Sequence, residues 1–179
     1  KFTFKKIDAT KVKQSAARSA SRFDSYIQEG VTVFKFKQGR NNIRVIRNPD
    51  DDYWNTPIWV HSYVGSKNSS YLCPKKMGKS KDCFICDAAD DAKRAGDKDE
   101  AKALEAKERG LAWIIDRDDE KSGLKLWDVG WNMSKDIDAA SDTKRGVLDI
   151  GHPDDGFDIA ITRTGTTKTS TKYSPPIID

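Results

Sequence analysis

The chain has only two histidines, three cysteines and two methionines in 179 residues. So few imidazoles leave little room for acid–base or nucleophilic chemistry. His152 sits in a turn, Gly151-His152-Pro153, and no Ser/His/Asp arrangement, Walker loop or paired metal-binding carboxylates emerge. The acidic runs Asp50-Asp51-Asp52 and Asp118-Asp119-Glu120 read as solvated turns, so an enzyme is not expected and no catalytic residue is assigned. An odd number of cysteines cannot close a disulfide framework. No apolar run approaches the ~20 residues of a membrane span. The opening Lys1-Phe2-Thr3-Phe4-Lys5-Lys6 lacks the apolar stretch of a signal peptide. A soluble, cytoplasmic protein without membrane partners is expected. The chain opens on Lys1 rather than Met, so its natural termini are expected to lie outside this sequence.

What is abundant is charge. Charged residues make up 34% of the chain and hydrophobic ones 36%, which implies a small core under a heavily charged surface. The net charge is +4 but unevenly spread: residues 1–47 hold twelve Lys/Arg against Asp8, Asp24 and Glu29, leaving the remainder net acidic. A basic segment of this kind suits a polyanion, because Lys and Arg release counterions when they neutralise phosphates. A solvated basic tail gives the same composition.

Residues 1–28 read as a basic lead-in, with a short helix expected over 15–26, and residues 29–179 as the core. Val31–Lys37 and Ile43–Arg47 are expected to be strands of a hairpin turning at Gly39–Asn42. Thr56–Val64 is expected as a third strand, with Trp59, His61 and Tyr63 on one face. Residues 65–109 form an insertion: a Lys/Ser-rich loop over 65–82, then helices over 84–94 and 97–109. Strands resume at 111–116 and 124–130, a short helix follows over 131–140, and a last strand at 157–163 can pair with 166–173. About six short strands with one helical interruption fit a mainly β, α+β fold, a five-to-six-stranded OB-type barrel.

All three cysteines fall in the insertion. The pattern is His61-x11-Cys73-x9-Cys83-x2-Cys86. A Cys-x2-Cys turn folds both sulfurs to one side, and two upstream donors complete a tetrahedron. Three thiolates with one imidazole favour Zn2+, and four protein ligands leave no open position, so the ion would be structural. The alternatives are three reduced cysteines beside an ordinary strand histidine, or a redox Cys-x2-Cys. The second lacks the βαβ surroundings of thioredoxin-like proteins.

These residues also carry a resemblance. The basic N-terminal part, Asn41-Asn-Ile-Arg-Val-Ile-Arg47, His61 on the next strand, the cysteine spacing, Trp113–Asp116, Trp127, Asp154–Arg163 and Thr171–Pro175 resemble the single-stranded DNA-binding proteins of tailed bacteriophages. The resemblance spans roughly residues 30–175. It implies an OB-fold with a zinc-binding subdomain, ligated by His61, Cys73, Cys83 and Cys86, that coats single-stranded DNA in phage replication, recombination and repair within the host cytoplasm. It further implies self-association through a basic N-terminal motif, here matched loosely by Lys11–Arg22, and recruitment of replication proteins through an acidic tail. Pro175–Asp179 offers no counterpart to that tail.

Sequence-independent binding of single strands needs cations for phosphates and aromatic faces for bases. The candidates on or beside the first strands are Lys35, Lys37, Arg40, Arg44 and Arg47. Tyr53, Trp54, Trp59, Tyr63, Tyr71, Lys75 and Lys76 flank or punctuate the zinc loop, where Lys67, Lys79 and Lys81 add charge. Arg163, Lys168, Lys172 and Tyr173 come from the last hairpin. Alternation turns Arg44 away from Ile43 and Val45. Phe34, Phe36, Trp113 and Phe157 are expected in the core. The competing readings are a zinc-stabilised protein-interaction module and an RNA-binding OB-fold protein.

Overall fold

The computed structural model describes residues 26–28, 30–167 and 169–179. The expected helix over 15–26, the basic motif Lys11–Arg22 and Lys168 lie outside the described residues, save for Tyr26. In chain order the strands are β1 (Gly39–Ile46), β2 (Thr56–Val64), β3 (Ser69–Leu72), β4 (Lys107–Asp116), β5 (Leu124–Gly130), β6 (Asp142–Thr143), β7 (Gly146–Val147), β8 (Asp158–Thr164), β9 (Lys172–Tyr173) and β10 (Ile177–Ile178). The helices are α1 (Phe84–Arg94), α2 (Lys98–Leu104) and α3 (Trp131–Ser141). The architecture is mainly antiparallel sheet, of the α+β class. No helix among the described residues is long and apolar enough to cross a membrane. Two compact units are formed. The first contains Trp59–Lys107, and the second joins Gly30–Ile58 to Glu108–Asp179.

The second unit is organised by β1, which pairs with β8 along one edge and β4 along the other. β10 and β9 add to β8, and β5 pairs with β4 from Arg109↔Gly130 to Ile115↔Leu124. Ile43 stands opposite both Asp116 and Ile159. β-branched residues suit this half-buried pleat. Ile43, Val45, Ile114, Val129, Ile159 and Ile161 are all essentially inaccessible, and Ile137 of α3 joins them. Phe34, Phe36 and Trp127 meet edge to face, with centroids 5.1–6.2 Å apart.

Several expectations change. Val31–Lys37 is not a strand of a local hairpin. It lies along β5 through the single parallel bridge Val33↔Leu126, held by Phe34 N–H to Leu126 C=O and Leu126 N–H to Thr32 C=O. Gly39–Asn42 is the start of β1, not its turn. The Asn41 side chain closes the preceding bend by accepting from Lys37 N–H and donating to the Lys37 and Gly39 carbonyls. In the second unit the sheet is open: among the described residues no pairing joins its β5 edge to its β9 or β10 edge. The loop over 65–82 contains β3. The second helix of the insertion stops at Leu104 and the chain is extended again from Lys107, because Ala106 is buried and Arg109 reaches across to Asp128 on β5.

One ion cluster sits among these strands. Asp116 is 2% exposed, and its carboxylate accepts from Lys125 Nζ at 3.0 Å, Lys37 Nζ at 3.3 Å and, through its other oxygen, the Asp118 N–H at 3.1 Å. Burial alone would raise this carboxyl, but the hydrogen bonds from Lys125, Asp118 and Lys37 outweigh it and hold it below the ordinary range. Because the folded value lies below the unfolded one, near 3.9, the stabilisation is present above about pH 4 and fades as the pH falls through the lower folded value. Asp116→Asn should therefore cost about 1.5–3 kcal/mol at neutral pH. In urea melts from neutral to acid, the gap between wild type and variant should close in acid. A gap that stays constant with pH would contradict this role.

Candidate metal centre and nucleic-acid surface

Among its described residues the first unit buries few apolar side chains, Val60 of β2 and one small cluster. Cys73, Cys83 and Ala106 are its buried cluster, with Trp59, Ile85 and Cys86 packed against them. Neither α1 nor α2 buries a residue. What draws this segment together is a set of four donors. β2 contributes His61, and β3 pairs back on it through His61↔Tyr71 and Val60↔Leu72, with a shift in register before Val64↔Ser69. Tyr63, inside that shift, takes φ 62°, which breaks the alternation expected for β2.

Past β3 the Cys73 N–H donates to the Trp59 carbonyl at 2.8 Å, fixing Cys73 beside β2. The turn after it directs the Lys76 N–H at the Cys73 sulfur, 3.4 Å away. Cys83 precedes α1, and its sulfur accepts from the N–H groups of Ile85 and Cys86, while the Asp87 N–H closes the first helical turn on the Cys83 carbonyl. Both cysteine turns thus wrap backbone N–H groups around sulfur.

His61, Cys73, Cys83 and Cys86 bring one donor atom each into a group whose members lie within 4.8 Å of one another. Cys73 Sγ is 3.4 Å from Cys86 Sγ, and His61 Nε2 is 3.4 Å from Cys83 Sγ and 3.7 Å from Cys86 Sγ. These are close to the edges of a tetrahedron with bonds of about 2.0–2.3 Å to a central ion. The Leu104 carbonyl lies 2.7 Å from His61 Nδ1, accepting its proton and turning Nε2 toward the sulfurs, the outer contact that metal-bound histidines use. Burial resists ionisation of Cys83, but the N–H groups of Cys86 and Ile85 prevail and its thiol is lowered. Burial and the neighbouring Cys73 and Cys83 sulfurs push the Cys86 thiol up to about 12. Three thiolates this close cannot coexist without a cation, and the donors present fit a structural metal ion.

No family model and no curated protein matches this chain.

The nucleic-acid candidates separate by unit. In the first, Lys76 Nζ stands 4.3 Å over the Trp59 ring and donates to the Ala106 carbonyl, and Lys75 pairs with Asp87 at 3.7 Å. Tyr63 and Tyr71 are about half exposed, and Lys67, Lys79 and Lys81 are exposed. In the second unit most cations are engaged. Arg44 leaves the core face of β1, but residues 152–156 fold over it. It is 8% exposed and donates to the Gly156, His152 and Asp154 carbonyls beside Asp158. Arg47 holds Asp149 and the Asp51 carbonyl, Arg40 pairs with Asp179, and Lys37 with Asp116. Arg163 donates to the Phe36 carbonyl. Lys35 and Lys172 are exposed, and Tyr173 packs on Phe36 with centroids 5.1 Å apart.

Two aromatics are committed inward or to acid. Trp54 is 7% exposed and donates its Nε1–H to Asp138 at 2.8 Å, and the Tyr53 hydroxyl donates to the same carboxylate at 2.5 Å. Burial and that carboxylate raise the Tyr53 phenol. Three other exposed rings lie outside the expected set, and one is Trp131, 49% exposed with Lys135 Nζ 4.4 Å over it. Trp113, expected in the core with Phe34, is 42% exposed, because Ala112 and Ile114 take the inward face of β4. The continuous apolar run Leu111–Ile115 hides that alternation. Phe84 is 90% exposed. Of the two residues between Cys83 and Cys86, Ile85 packs on the buried cluster and Phe84 does not, and nothing local in the sequence separates them.

Removing the metal should free the first unit specifically. With a strong chelator, limited proteolysis is expected to cut within residues 59–107 while fragments of the second unit persist, as read by mass spectrometry. Equal resistance with and without chelator would show that the four donors do not hold this segment.

Proposed function

We propose that the protein binds single-stranded DNA without sequence preference and without catalysis, coating it during replication, recombination and repair. In this reading the ion is Zn2+, and the second unit is a partly open OB-type barrel. The observation that carries it is in the first unit. Four metal donors fasten a loop with Lys67, Lys75, Lys76, Lys79 and Lys81, bordered by the exposed rings of Tyr63 and Tyr71. Ammonium groups suit phosphates, and exposed rings suit unpaired bases, whose faces a duplex conceals. The resemblance of residues and spacing to phage single-stranded DNA-binding proteins points to the same reading. In the second unit, Lys35, Lys172 and Tyr173 are exposed candidates.

The test is oligo-dT binding followed by tryptophan fluorescence across a salt series, against duplex of equal length. Single strands lose about 0.7 in log K per log salt for each phosphate neutralised. About five contacts would weaken binding roughly a hundredfold from 50 to 200 mM salt. Equal affinity for duplex would overturn the proposal, and stronger competition by oligo-U would move it to RNA.

A further inference from the structure

Phe84 is 90% exposed, the most exposed of the large hydrophobic side chains. Its position explains the exposure. Cys83 and Cys86 turn their sulfurs inward to the same donor group, Ile85 packs on the small buried cluster, and the remaining side chain of the turn is directed outward. A ring so exposed gains almost nothing from folding, since apolar stabilisation follows the area removed from water. A polar residue would serve the turn as well.

The surroundings are cationic on one side. From residue 65 to residue 83 the chain carries five lysines and one acid, Asp82. Asp87 lies one helical turn after Phe84, on the same side of α1, and its carboxylate holds the Lys75 ammonium at 3.7 Å. Lys79 and Lys81, both exposed, precede the turn by a few residues. An acidic protein surface would use the lysines but not the ring. An unpaired nucleotide uses both, with its base on the ring and its phosphate near the ammonium groups.

Resting on the single-stranded DNA reading, we infer that Phe84 is a base-stacking residue, and that the metal turn is itself part of the nucleic-acid surface as well as a staple for the loop. This adds a contact that composition and strand patterning did not place in the binding set. It also gives the turn a role that can be separated from metal binding, because the Phe84 side chain supplies no donor to the ion.

The experiment compares full-length wild type, Phe84→Ala and Phe84→Trp, each with metal content and thermal midpoint measured on the same sample. Phe84→Ala should keep its metal and midpoint, bind oligo-dT about tenfold more weakly, the scale of one base stacked on one ring, and leave the salt slope unchanged because no phosphate contact is lost. Phe84→Trp should retain affinity. If wild type binds and Phe84→Ala binds within twofold of it, the stacking role is overturned and the broader function stands. If wild type does not bind oligo-dT at all, the broader function falls and the stacking role with it.

Discussion

Three sulfurs and one imidazole nitrogen crowded within 4.8 Å are the constraint on which the first unit depends. Without a cation the thiols compete for ionisation, and Cys86 is driven to about 12 by burial and by its two neighbours. With a cation the same crowding becomes cohesive, because each thiolate is neutralised by the ion instead of opposed by the next sulfur. Among the described residues little else holds this segment. The apolar cluster amounts to two of the ligands, Ala106 and partial cover from Trp59 and Ile85, and neither helix buries a residue fully. Binding energy at such a centre is folding energy.

The second unit is stabilised in the ordinary way, and this changes how its charge should be counted. Its branched aliphatic core closes around β1, and its cations are then used to fasten loops. Arg44 ties down 152–156, Arg47 joins Asp149 to the bend at Asp51, and Lys125 neutralises Asp116. A guanidinium donating to three carbonyls at 8% exposure is not available to a phosphate without unfolding the segment it holds. Positive residues on β1 therefore overstate the positive surface of that unit.

The sequence revealed much of this and concealed the rest for identifiable reasons. The four donors were legible because ligand type and spacing are local properties. Strands β2 and β5 and helix α1 were legible from composition and length. The partners of β1 were not, because Gly39–Asn42 has turn chemistry that the fold uses for extended chain, with Asn41 capping the bend before it. Trp54 and Trp113 exchanged their expected places. Trp54 is a stacking candidate by its place beside the zinc loop, yet Asp138, distant in sequence, satisfies its indole. Trp113 lies in an apolar run that masks which parity faces inward. Ion pairing over more than a hundred residues, as for Arg44 with Asp158 and Arg47 with Asp149, has no local signature at all.

These exchanges move the weight of the functional reading. A surface for single strands needs rings that are not already packed and charges that are not already paired. Trp54 and Arg44 fail that requirement in the second unit, where Tyr173 is still about half exposed, whereas in the first Phe84 is almost fully exposed and Tyr63 and Tyr71 are about half exposed. Lys75, Lys76, Lys79 and Lys81 stand on the loop that joins β3 to the Cys83 turn. A metal ion held by the four donors would therefore do more than supplement a small apolar cluster. It would fix the segment that carries these lysines and rings.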